Sequence, residues 1–104
     1  MINQKKIILI IFISFFLSLI YFYNNFYKAN PKAYITNQGD NTVSVVDLVT
    51  LEVIKTIKVG IAPLGITILN KKKLGFIGNV GTDDISVIDT RTDQIIKTIK
   101  LNTA

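Results

Sequence analysis

The sequence predicts an all-β domain of four-stranded antiparallel units, carried behind one N-terminal apolar helix. Three observations lead there. Residues 7–23 form an uncharged apolar run. A 42-residue shift lays the last third of the chain on its middle third without a gap. Within each copy, short β-branched segments alternate with Gly, Asn, Asp and Pro, the pattern of antiparallel strands and turns.

The apolar run comes first. Segment 7–23 (IILIIFISFFLSLIYFY) carries only Ser14 and Ser18 as polar interruptions. As a helix it spans roughly 25 Å, and roughly 31 Å if it continues to Tyr27, against a bilayer core of about 30 Å. Tyr21, Tyr23 and Tyr27 gather at its far end, as an interfacial aromatic belt does. No small-x-small cleavage pattern follows, so residues 1–23 are expected to be a retained signal anchor, with a cleaved signal peptide as the alternative. On either reading the remainder is extracytoplasmic: single-pass and membrane-bound in the first case, secreted in the second. Residues 24–32 (NNFYKANPK) are expected to be a polar linker.

Composition narrows the function classes. The 104-residue chain has a net charge of +5, but Lys5, Lys6, Lys28 and Lys32 flank the apolar run and carry most of it. From residue 33 onward eight basic residues face seven acidic ones. The basicity is thus expected to belong to the anchor, where it sets topology, and no nucleic-acid partner is expected. There is no Cys and no His, which removes disulfides, thiolate metal sites and the commonest catalytic bases and nucleophiles. No enzymatic activity, metal or cofactor is expected from residues of this chain.

The repeat defines the domain as residues 33–104. Tyr34 aligns with Phe76, Ile35 with Ile77, Asn37 with Asn79, Gly39 with Gly81, Asp47 with Asp89 and Thr50 with Thr92, while IKTIK at 54–58 recurs at 96–100. Strands are expected at TVSVVD (42–47), EVIKTIKV (52–59), LGITIL (64–69, after Pro63), LGFIGN (74–79), DISVID (84–89) and QIIKTIKL (94–101), with a turn at Lys71–Lys73. A period of 40–45 residues with four strands per unit is that of β-propeller blades.

The segment AYITNQGDNTVSVVD (33–47) resembles the motif of the YVTN-repeat β-propeller family, through Tyr34, Ile35, Thr36 and Asn37. TLEVIKTIKVGIAPLGITIL after it resembles the rest of that unit, including the Gly-x-x-Pro link that ends at Pro63. The second copy, GFIGNVGTDDISVID (75–89), is looser, with Gly78 where the motif has Thr. The resemblance implies blades running from inner to outer strand: 33–62 as a first repeat lacking its inner strand, 63–104 as a complete second one. About two blades make an incomplete ring, and Ala104 aligns with Ala62, where a further inner strand would begin. A truncated chain, a gene fragment and an obligate oligomer that self-associates through open blade edges all remain open.

Each candidate for chemistry has a plainer structural role. Asp47 and Asp89, three residues before Thr50 and Thr92, are expected to close turns rather than to form a carboxylate site. Asp83–Asp84 and Asp40–Asn41 lack the ordered oxygen spacing that Ca²⁺ requires. Lys55, Lys58, Lys97 and Lys100 are expected to guard exposed strand edges against aggregation, with contact to an anionic lipid or polymer as the alternative. The glycines form no phosphate loop.

Three functional readings follow. The first is a membrane-anchored binding or scaffold module with a protein or cell-envelope partner. By the resemblance, which extends to exported and cell-surface proteins and to propellers of some redox enzymes, the second is part of an enzyme-associated propeller. The third is a truncated product without function.

Overall fold

The computed structural model describes residues 1–26 and 28–102. The roles assigned above to Tyr27 and Ala104 lie outside the described residues. Helix α1 spans Gln4–Phe26. Asn3 starts it, its side-chain Oδ1 accepting from Lys6 N at 2.9 Å, which satisfies one of the free amides of the first turn. Its far end passes the expected boundary at residue 23. Asn24 and Asn25 do not break a helix, the first proline is Pro31, and Phe22 stacks on Phe26 one turn later, with ring centroids 4.2 Å apart.

No residue of α1 is buried. An apolar helix exposed all round is unfavourable in water and suited to lipid. Within the run, the Ser18 hydroxyl donates to the Ser14 carbonyl at 2.9 Å, so this polar group needs no partner from outside. Among the described residues α1 is one helix long and apolar enough to span a membrane or to serve as a signal peptide.

Seven strands follow: β1 (Lys32–Asn37), β2 (Thr42–Asp47), β3 (Glu52–Lys58), β4 (Pro63–Leu69), β5 (Leu74–Asn79), β6 (Asp84–Asp89) and β7 (Gln94–Lys100). They form two separate antiparallel sheets, ordered β1-β2-β3 and β4-β5-β6-β7. Neither sheet closes on itself. Within each sheet every strand pairs with its neighbour in sequence, so short turns suffice there.

Local conformations recur at the 42-residue interval. A bulge falls between Val45 and Val46, and another between Val87 and Ile88. Left-handed backbone occurs at Asn41 and Asp83, and at Leu51 and Asp93. Asn and Asp adopt that region readily; Leu51 does not. It is held there by the turn, in which Leu51 N donates to Asp47 O at 2.8 Å, as Asp93 N does to Asp89 O.

The core lies between the sheets. Val43 and Val45 of β2 and Ile57 of β3 pack with Ile77 of β5 and Ile88 of β6, flanked by Tyr34, Val59 and Ile66. Val43 stands opposite Ile57 in the register, which puts both on one face of the first sheet. Burying each such side chain is worth about 1.5–3 kcal/mol. β1 runs alongside β4 across this interface, where Thr36 Oγ1 donates to the Leu64 carbonyl at 3.2 Å.

Candidate functional site

Polar residues gather at both ends of the sheet-to-sheet interface. At one end the β3–β4 link, residues 59–62, is clasped by two turns. Val59 N donates to Asn41 O at 3.1 Å and Ala62 N to Asn41 Oδ1 at 2.9 Å. From the other side Gly81 N donates to Ile61 O at 2.8 Å and Val80 N to Ala62 O at 3.1 Å. Gly60 allows the close approach, since a Cβ there would lie 2.7 Å from Asn79 Cβ.

Asn79 anchors this end. Its Nδ2 donates to Asp84 Oδ1 at 2.8 Å and Ser86 Oγ at 2.9 Å, while its Oδ1 is buried without a hydrogen-bond partner among the described residues. Asn37 occupies the related place in the first sheet, donating to Thr42 Oγ1 and Ser44 Oγ. Asp84 is buried yet ionised. The Asn79 amide, with help from Lys100 and Thr82, holds its carboxyl below the usual carboxylate range. Lys100 Nζ reaches Asp84 Oδ2 at 3.1 Å, so one of the expected edge-guarding lysines also makes an ion pair.

The opposite end carries the denser cluster. Lys32 Nζ donates to Asp93 Oδ1 at 2.8 Å, Asp93 Oδ2 at 2.9 Å and the Thr90 carbonyl at 2.8 Å. The Tyr34 hydroxyl donates to Asp93 Oδ1 as well. Nζ also lies 5.8 Å from the centroid of the Tyr34 ring, a distance at which the ring face attracts a cation. Burial, reinforced by the Asp93 carboxylate, raises the Tyr34 pKa far above its ordinary value. The phenol is therefore a neutral donor at physiological pH.

A cleft of about 400 Å³ opens beside this cluster, bounded by Ala29–Lys32, Tyr34, Ile68, Asn70, Lys73, Thr90 and Arg91. Its polar groups are mostly engaged. An ammonium has three N–H donors, and those of Lys32 are used. Arg91 pairs with Asp89 at 3.1 Å, and Asn30 donates to Asp47 Oδ2 at 2.9 Å. With Lys32 and Tyr34 both committed to Asp93, neither is poised as nucleophile or base. The arrangement is suited to latching one sheet to the other.

Asp47 and Asp89 stand at turns. Asp47 Oδ1 accepts from Val49 N at 2.8 Å and Thr50 N at 3.0 Å, and Asp89 Oδ1 accepts from Arg91 N at 2.9 Å. Both carboxyls lie below the usual range, the first chiefly through Asn30 and the second chiefly through Arg91. Thr92 lies in the β6–β7 turn, Phe76 and Asn79 on β5, Gly39 and Gly81 in hairpin turns, and Pro63, buried, at the start of β4. Lys55, Lys58, Lys97 and Lys100 are all on β3 and β7, edge strands of the two sheets. No group of three or more His, Cys, Asp or Glu that could hold a metal occurs among the described residues.

Lys32 corrects the sequence reading. Expected in the linker as a flanking charge of the anchor, it is instead the first residue of β1 and half of an ion pair between the sheets. Sequence reasoning also passed over Asp93. The signal was faint but present: at the 42-residue interval Lys32, Tyr34 and Asp93 correspond to Leu74, Phe76 and Leu51, so the cluster stands exactly once where the rest recurs.

No family model and no curated protein matches the chain. Among solved structures it is similar to a chain of hydrazine synthase from Kuenenia stuttgartiensis, a propeller-containing protein, with a TM-score of 0.64 and 28% identity. The similarity covers 67% of this chain and 20% of that one, so this chain spans about a fifth of its length.

Proposed function

We propose that this chain is a membrane-anchored, extracytoplasmic binding or scaffold module whose two sheets are blades of the β-propeller type. The observation that carries the reading is the pairing of a fully exposed apolar helix with stacked antiparallel sheets whose polar clusters are spent on holding those sheets together. The 42-residue recurrence of bulges and turns, and the likeness to a chain of a propeller-containing protein, support the blade assignment. The module acts by presenting loops and sheet faces to an envelope partner, without catalysis of its own.

Single cysteines in this Cys-free chain test the placement. Lys55→Cys, exposed on the edge strand β3 and away from the open sheet faces, reacts in intact cells with a membrane-impermeant maleimide, whereas Lys5→Cys does not. Both products stay with the membrane through an alkaline wash. Protection of position 55, or release of the domain into the medium, overturns the anchored extracytoplasmic placement.

A second reading rests on the hydrazine synthase likeness alone. In it the chain is a structural part beside an enzyme whose catalytic residues lie in other sequence. Stoichiometric co-purification of an enzyme subunit favours that reading; its absence favours the first.

A further inference from the structure

We infer that the two open sheet faces are an interface between copies of this chain, joined head to tail through a repetition of its own internal sheet contact. The internal contact supplies the template. In it, Val43 and Ile57 on the near face of the first sheet meet Ile77 and Ile88 on the near face of the second. Shifting by 42 residues converts each face used inside the chain into one left open. Val43 and Ile57 become Ile85 and Ile99 on the second sheet; Ile77 and Ile88 become Ile35 and Val46 on the first. The apolar character is kept while the cover is thinner: Ile77 is 0% exposed but Ile35 is 50%, and Ile57 is 6% but Ile99 is 37%, although Val87, the relative of Val45, is covered within its own sheet.

The latch supplies the stronger argument. Within the chain, Lys32 and Tyr34 meet Asp93. The related residues on the open faces are Leu74 and Phe76 on one side and Leu51 on the other. Both halves of the contact differ together, polar inside the chain and apolar on the open faces. A face meant for water would gain nothing by that change, and a face meant for an unrelated partner would have no reason to match the other. Two such faces brought together place Leu51 against Leu74 and Phe76, with no charge left unpaired.

Glycines at the other end agree. A Cβ on Gly81 would lie 2.5 Å from Ile61 Cγ2 of the β3–β4 link. Gly39, its relative at 42 residues, has nothing within 4 Å of a built Cβ. The space that the link fills beside Gly81 is vacant beside Gly39, on the face where a second copy would dock.

A contact that joins unlike faces is heterologous, and it closes into a ring when the rotation permits. Helix α1 assists by confining the copies to one membrane, which raises their effective concentration. The inference rests on the internal sheet contact and does not depend on which envelope partner the module serves.

Full-length Leu51→Cys and Leu74→Cys chains, reconstituted together in phospholipid vesicles and treated with a short bis-maleimide, provide the test. The mixture gives a crosslinked product at twice the 11.6 kDa of the chain, and either variant alone gives far less, because the contact pairs unlike faces. Adding Ile35→Asp to the Leu51→Cys chain lowers the yield about tenfold or more, since it buries an unpaired charge. Ile35 is half exposed in the single chain, so that variant still folds, as circular dichroism verifies. Equal yields from the separate variants, no product from the mixture, or a yield indifferent to Ile35→Asp overturns the inference. So does crosslinking solely to a different polypeptide. Each of these outcomes leaves the labelling result at Lys55 untouched.

Discussion

Replacing Asp93 with Asn probes the latch between the sheets with the least geometric disturbance. Asn keeps the size and an acceptor oxygen, and it tolerates the left-handed backbone at this position, where φ is 56°. What it removes is the charge facing Lys32. The Lys32 and Asp93 side chains are 20% and 12% exposed, so the pair lies between two regimes. Exposed pairs are worth about 0–1 kcal/mol, and breaking a buried one costs about 3–5 kcal/mol. With one hydrogen bond retained, a loss of about 2 kcal/mol is expected. For a folded part of this size that lowers the melting temperature by roughly 10 °C. The assay is thermal unfolding of the full chain in detergent, followed by circular dichroism, for Asp93→Asn, Lys32→Met and the double variant. The double variant should lose less than the sum of the singles by about 1 kcal/mol or more. A shift within about 2 °C, less than 1 kcal/mol on this scale, or strict additivity would refute the latch.

Four further outcomes follow from the same packing. Ile77→Ala should cost about 2–4 kcal/mol by opening a cavity between the sheets, whereas Ile35→Ala, at the related but half-exposed position, should cost under about 1 kcal/mol in the single chain; denaturant melts compare them. Gly60→Ala should destabilise by about 1–3 kcal/mol, because its Cβ would overlap Asn79 and Thr82, and a neutral result would show that the link has room to move. The raised pKa of Tyr34 keeps its phenol protonated as pH passes its ordinary value of 10.0. The stability it contributes is therefore complete below pH 10.0 and is lost only as pH climbs through the raised folded value; a tyrosinate signal at pH 10 in the wild-type minus Tyr34→Phe difference spectrum would contradict this. Asp47, Asp84 and Asp89 are depressed below 3.8, so their contribution is present above that pH and falls away as pH drops through their folded values. Denaturant midpoints taken across that range should decline, and less so for Asp84→Asn.

The strands were legible because each is short, β-branched and bounded by its own turn residues. DISVID and LGFIGN occupy β6 and β5 residue for residue. The helix end was not, because the Asn pair at 24 and 25 reads as linker while the Phe22–Phe26 stack carries the helix one turn further. Nor does a sequence announce a left-handed leucine: at Leu51 the hydrogen bond closing the turn overrides local preference. The latch escaped for a different reason. Lys32 and Asp93 are 61 residues apart, and their meeting is decided by how two sheets stack, which no local pattern encodes. Asp47 and Asp89 could be read as turn closers because their partners lie two and three residues away.

Native mass spectrometry of the chain, taken from the membranes of the cell that makes it, tests the account most directly. It weighs the subunit and its assembly at once. The account predicts a subunit that retains the helix, in a complex with further identical copies. A subunit lacking the N-terminal segment, or a chain that is solitary in its membrane, would contradict it.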